Sequence, residues 1–197
     1  MAIKAGIFGD GTNLKDRYIP NHKKLAEQVK HWKKLGLRVV LTSGTWDLFH
    51  VGHAQYLERA KELGDLLIVG VDSDKKVKIR KGPHRPVVPQ EERVSILCHL
   101  RHVDAVTLKP HDEKPNMLIK LVRPDILVMS KTTKHHKSDI KEKQKYVGKV
   151  VLLQPQSQTS TSAKVRLLHT SGADRFAKEV ANRIPALMEE VMQHLAK

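Results

Sequence analysis

Cysteine occurs once in the 197 residues, at Cys98, so no disulfide can form within the chain. It lies in the periodic stretch Arg93-Val94-Ser95-Ile96-Leu97-Cys98 and reads as a buried, inert thiol. Aromatic residues are equally scarce: with three Phe, three Tyr and two Trp, no RNA-binding motif of interleaved basic and aromatic residues is visible. No segment approaches the roughly 18 consecutive apolar residues of a membrane span. Met1-Ala2-Ile3-Lys4-Ala5-Gly6 lacks the unbroken apolar core of a secretion signal. A soluble, cytoplasmic chain with no membrane partner is expected. Acidic residues are also few, 21 against 36 Lys and Arg, and the net charge is +15 with histidines neutral. This bias calls for an anionic ligand, although it is spread over 23–38, 75–85 and 131–149, where solvated helix faces explain most of it.

What is present is an alternation of apolar runs and helical patterns with short connections, which predicts a parallel sheet covered on both faces. Arg38–Thr42, Leu66–Val71, Val103–Leu108, Asp125–Met129 and Val150–Leu153 read as strands, the second fully buried. Helices are expected at 53–63, ended by Gly64, at Gln90–Leu100, at Pro115–Val122, at Ser138–Tyr146 and from Ser160 to Leu168. The fold class is therefore α/β, a Rossmann-like doubly wound sheet of about five parallel strands over 38–170. Two helical flanks complete the chain: 1–37, with a basic helix from about Pro20 to Leu35, and 171–197, an amphipathic helix interrupted at Pro185. The flanks are expected to pack on the core or to join two copies in a homodimer. Ligands of such sheets bind beyond the carboxyl ends of the strands, where the strand order reverses.

The first such loop carries the chemistry. After the first strand comes Thr42-Ser43-Gly44-Thr45-Trp46-Asp47-Leu48-Phe49-His50-Val51-Gly52-His53, and then a helix. Two imidazoles three positions apart, with Gly52 before the second, can converge on one anionic group. Gly52 lets the backbone approach that group, and free N–H groups at the helix start favour negative charge. His-X-Gly-His supplies only two metal ligands, so no protein-borne metal site is expected.

In this loop and the segments that follow it in order, the chain resembles the cytidylyltransferase-like nucleotidyltransferases, among them the glycerol-3-phosphate cytidylyltransferases and heptose phosphate adenylyltransferases. The resemblance spans about 38–168. Its further segments are Ala60-Lys61-Glu62-Leu63-Gly64-Asp65, Val71-Asp72-Ser73-Asp74, Lys81-Gly82-Pro83-His84-Arg85-Pro86, Gln90-Glu91-Glu92-Arg93, Arg101-His102-Val103-Asp104 and Ser160-Thr161-Ser162.

The resemblance implies transfer of AMP or CMP from ATP or CTP to a phosphorylated small molecule, a sugar or alcohol phosphate, with release of pyrophosphate. It assigns His50 and His53 to the α-phosphate, with Lys81 and Arg101 as further catalytic cations, and makes Lys81 and the nearby Lys78 or Arg80 candidates for the triphosphate or the acceptor phosphate. Gly44, Thr45, Trp46, Asp47, Gly52 and Asp74 are expected to line the nucleotide pocket, Asp47 mainly by orienting the loop. Ser160, Thr161 and Ser162 would hold the β- and γ-phosphates, and Mg²⁺ would accompany the triphosphate, held by its oxygens and water. Arg93 reads as a charge on a helix surface.

Two segments depart from the pattern. Where family members commonly carry a glycine followed by acidic residues, this chain has Ser130-Lys131-Thr132-Thr133-Lys134-His135-His136, and Pro155-Gln156-Ser157-Gln158 replaces the run that cytidylyltransferases for glycerol phosphate place before the last helix. Met129-Ser130-Lys131 is also similar to the second signature of class I aminoacyl-tRNA synthetases. The chain has no evident room for an anticodon-reading domain, but Lys131 becomes a candidate for the leaving pyrophosphate. The alternative from another class is a regulatory nucleotide- or nucleic-acid-binding protein on the same fold; the intact histidines argue against it, and nucleic acid is not an expected partner.

Overall fold

The computed structural model describes residues 14–131 and 137–154, and beyond them residues 181, 183, 184, 188 and 192. The chain divides into two units, Met1–Gln158 and Thr159–Lys197. In the second, every described residue is helical, within the expected amphipathic segment.

The first unit is built on five parallel strands, β1 (Val39–Gly44), β2 (Leu66–Asp72), β3 (Ala105–Lys109), β4 (Ile126–Ser130) and β5 (Lys149–Leu153), in the order β3-β2-β1-β4-β5. The chain winds outward from β1 to β3 and then returns to β1's other side, so the strand order reverses between β1 and β4. β2 is buried along its whole length, as its unbroken Leu66-Leu67-Ile68-Val69 run requires of a strand covered on both faces.

Side-chain alternation divides the core in two. Val40, Leu67, Val69 and Val106 face α3 (Val51–Lys61) and α5 (Gln90–Cys98), while Val39, Leu41, Ile68 and Ala105 face α2 (His22–Lys34) and α6 (Met117–Val122). The segment set apart as a basic flank thus completes the core: Leu25 and Val29 of α2 are fully buried, and each such side chain contributes about 1.5–3 kcal/mol. Asn21 caps α2, accepting from the N–H groups of Lys23 and Lys24. Ahead of it, α1 (Leu14–Arg17) leads into a bridge from Tyr18 to Val106 on β3. Two further helices, α4 (Asp74–Lys81) and α7 (Lys137–Gln144), lie on the surface. No helix among the described residues is long and apolar enough to cross a membrane.

Candidate active site

β1 delivers its carboxyl end, Ser43-Gly44, to the edge of the sheet beside β2, and the next six residues form a loop whose backbone is forced into unusual shapes. Trp46 and Leu48 adopt φ of 58° and 47°, left-handed conformations that cost a residue other than glycine of the order of 1–3 kcal/mol each. Several contacts hold them there. Trp46 is buried and donates from Nε1 to the Gly70 carbonyl of β2 at 3.1 Å. Gly44 packs closely beneath it: a Cβ at that position would stand 3.2 Å from the indole, which would have to shift by a few tenths of an ångström.

The Asp47 carboxylate accepts from Arg85 Nε at 2.8 Å and from the N–H groups of Val87 and Val88 at 3.0 and 2.9 Å. Burial alone would raise the Asp47 pKa, but those two N–H groups and the Arg85 guanidinium outweigh it and hold the carboxyl below its ordinary value. Asp47 thus ties the loop to the 85–88 segment.

The loop ends at His50, which caps α3: its Nδ1 accepts from the Gly52 N–H at 3.1 Å. The helix begins at Val51, so His53 lies within the first turn. The two imidazoles stack, with centroids 3.9 Å apart and an interplanar angle of 26°. Trp46 meets the His53 ring edge-on at 5.5 Å, and Phe49 lies against it at 5.4 Å. Two imidazoles are therefore presented together at a helix start, where unsatisfied N–H groups and the helix dipole favour an anion.

The remaining expected residues divide by position. Lys81 is the last residue of α4; though its side chain reaches solvent, the protein around its ammonium partly desolvates it, and with the neighbouring Arg80 and Arg85 this lowers its pKa against the pull of Asp47 and Asp72. Arg80 rather than Lys78 is turned to the loop, donating to Thr45 Oγ1 and Asp72 Oδ2 at 2.8 Å each. Lys131 is exposed in the turn after β4, across the β1/β4 reversal from the histidine loop. Asp74 is engaged elsewhere: its carboxylate accepts from Arg93 at 2.7 Å. Arg101 stands in the turn before β3, at the amino edge of a parallel sheet whose carboxyl edge bears the histidines, so the fold does not bring it to them. Ser160, Thr161, Ser162 and residues 132–136 lie outside the described residues.

Arg93 is a correction. It is 1% exposed, and its guanidinium donates to the carbonyls of Thr45, Val88 and Asp72 as well as to Asp74. A surface charge would meet water; this one is the internal strut between α5, β2 and the loop. Asp72, also missed, is 2% exposed at the end of β2 and faces three cations, Arg80, Lys109 and Lys76, at 2.8, 3.6 and 4.0 Å. An acidic residue closing an otherwise apolar buried run was the available signal.

Known proteins share the family and the fold. The family described as cytidylyltransferase-like matches residues 41–185. The chain is 46% identical over 113 residues to the bifunctional protein HldE of Nitratiruptor sp., covering 57% of this chain and 24% of that protein. It is 38% identical over 149 residues to the bifunctional protein HldE of Methylobacillus flagellatus, covering 75% and 30%. The chain therefore spans about a quarter to a third of the length of these relatives. Among solved structures, the lipopolysaccharide core biosynthesis protein from Thermoplasma volcanium superposes with a TM-score of 0.54 at 26% identity, covering 62% of this chain and all of that one. Pantoate-beta-alanine ligase from Francisella tularensis gives 0.55 at 15% identity over 72% of this chain and 68% of that one, a likeness of fold alone. With the family match covering most of its length, the chain belongs to the cytidylyltransferase-like nucleotidyltransferases.

Proposed function

We propose that the site transfers an adenylyl group from ATP to a sugar phosphate. The observation that carries this is the stacked His50–His53 pair at the start of α3, held in place by a loop locked through Trp46, Asp47 and Arg93. An oxygen of the acceptor's phosphate attacks the α-phosphorus, the bond from that phosphorus to the oxygen bridging to the β-phosphate breaks, and pyrophosphate leaves with the bond's electrons. The acceptor oxygen is already ionised at neutral pH, so no base is required and positioning with charge neutralisation sets the rate. The imidazoles would donate to the α-phosphate oxygens as charge builds there. Lys81 and Lys131 would serve the triphosphate from either side of the loop.

Similarity to the HldE proteins and the resemblance to heptose phosphate adenylyltransferases support ATP and a sugar phosphate over CTP and an alcohol phosphate. Mg²⁺ would enter with the nucleotide. Among the described residues, the carboxylates nearest the loop, Asp47, Asp72 and Asp74, are each paired with an arginine, which supports an ion held mainly by phosphate oxygens and water.

The test is pyrophosphate release with ATP or CTP and a pool of sugar and alcohol phosphates. Release with ATP and a sugar phosphate is expected, and His53→Ala should lower turnover by about 10²–10³ without changing the thermal melt. Absence of release with every pair, together with salt-sensitive binding to RNA, would sink the proposal.

A further inference from the structure

The charge of the described residues is not shared evenly between the two faces of the sheet. On one face, α3 with its C-cap and α5 expose Arg59 against Glu62, Glu91 and Glu92, and Arg59 pairs with Glu62 at 3.0 Å. On the other, the exposed charges of α2 are four lysines and a histidine against Glu27 alone.

The excess gathers at the amino ends of β4 and β5. α2 ends there, with Lys33 Nζ donating to the Arg123 carbonyl at 2.7 Å and to Asp125 at 2.9 Å. α6 ends there too: Arg123 is its C-cap, and Lys120 Nζ lies 5.1 Å from the ring centroid of Tyr146, in the turn after α7. The Gly148 N–H donates to the Pro124 carbonyl and the Lys149 N–H to that of Asp125, which brings the start of β5 to the same point. Lys30, Lys34, Lys120, Arg123, Lys145 and Lys149 are all exposed around it.

Helix C-termini attract cations, but the three ends supply only about half a negative charge each. Nor do carboxylates balance the cluster. Asp125 is engaged by Lys33 and the Val39 N–H, and Glu142 accepts from Asn116 at the opposite end of α6. Exposed like charge repels itself and calls for counter-charge from outside.

The patch also has an apolar tip. Gly36, at φ 79°, turns the chain so that the Leu37 N–H donates to the Trp32 carbonyl, and Leu35 is left 75% exposed beside Lys34. A single-stranded nucleic acid would want aromatic rings on which its bases stack. The two rings at this pole, Trp32 and Tyr146, are both partly buried, and Lys120 lies over Tyr146. An anionic lipid surface instead wants ammonium groups at the level of its phosphates and an apolar side chain among them, and these are what the pole presents.

We infer that the C-terminal ends of α2 and α6, with the turn after α7, form a docking surface for an anionic membrane. The histidine loop lies at the carboxyl edge of the same parallel sheet, so a chain seated on its amino pole keeps that loop turned to the aqueous side. No spanning helix is needed, since charge and one apolar side chain hold a protein at a surface reversibly, and a sequence read for spans and leaders gives no sign of this. Docking is independent of the reaction that the loop performs.

The test is sedimentation of the full chain with vesicles of phosphatidylcholine, either alone or with phosphatidylglycerol as about a third of the lipid, in about 0.1 M salt. Binding to the anionic vesicles alone is expected, lost at about 0.5 M salt. Lys34→Glu combined with Lys149→Glu should weaken it tenfold or more, since each lysine near an anionic surface counts for roughly fivefold. Leu35→Ser leaves the charge unchanged and should weaken binding a few-fold, while Arg59→Glu on the opposite face should change it by less than about twofold. Thermal melts report folding, and if the double variant fails to fold, Leu35→Ser decides. Equal sedimentation with both lipids, or wild-type binding by either folded variant, would overturn the assignment. So would an RNA duplex that displaces the chain from the vesicles and loses affinity in the double variant, which would transfer the surface to nucleic acid.

Discussion

Arg93 and Arg80 both reach the histidine loop from neighbouring helices, yet burial makes them different objects. Arg93 is fixed on three carbonyls and one carboxylate inside the protein. Removing it leaves Asp74 without its counter-charge and the Thr45 and Asp72 carbonyls without donors. Arg93→Met should therefore cost about 3–5 kcal/mol, measured by urea unfolding. Arg93→Lys should recover little, since a point charge cannot reproduce the planar fork. Arg80 is itself about half exposed but pairs with the buried Asp72, which keeps Lys109 and Lys76 near it; Arg80→Met should therefore cost less than the loss of Arg93, about 1–3 kcal/mol by the same measurement. Nothing in the sequence around position 93 separates these cases. Glu91, Glu92 and Arg93 read alike as helix-surface charges, and only the packing of α5 against the loop shows that the third points inward.

At the scale of elements, the amino edge of the sheet is closed by a repeated device. Asp65, Asp104 and Asp125 each accept from a backbone N–H where a strand begins, those of Arg38, Leu67 and Val39. Asp125 also takes Lys33 Nζ of α2, and its carbonyl accepts from Lys149 at the start of β5. Gly148 packs directly against that carbonyl: an added Cβ would stand 2.7 Å from a backbone oxygen that cannot move aside. Gly148→Ala should therefore cost about 1–3 kcal/mol and lower the melting temperature by about 2–4 °C for each kcal/mol.

The strands were legible because each is a short apolar run bounded by turn residues, and α2, α3, α5 and α6 because apolar positions recur at helical spacing. α4 was not legible: Asp-Lys-Lys-Val-Lys-Ile-Arg-Lys buries only Val77 and shows no stripe. The site was half legible for a related reason. A loop such as 44–53 carries its candidate residues consecutively, whereas the contacts that hold it, from Arg93, Arg80 and Asp72, are assembled by packing across separate segments. Arg101 shows the converse limit, since a segment can keep its place in the order of motifs while the winding of the chain leaves it at the opposite edge.

For the whole molecule, the +15 charge acts on encounter more than on the bound state. A positive field draws in a polyanionic nucleotide and is screened by salt over about 10 Å at 0.1 M. Raising ionic strength from 50 to 500 mM should lower kcat/KM for the nucleotide by about 3- to 10-fold while kcat changes little; a flat kcat/KM would assign the charge to some other role. At the start of α3, the hydrogen bond between the Gly52 N–H and His50 Nδ1 fixes which ring nitrogen is left for a ligand. An Nδ1 that accepts has no proton, so the neutral ring carries its single proton on Nε2. Protonating both nitrogens would set two N–H groups against each other and uncap the helix. The bond thus favours the Nε2–H tautomer, which leaves Nε2 as the donor presented at the start of α3. An anion placed at that helix start would meet the donor without the helix losing its cap.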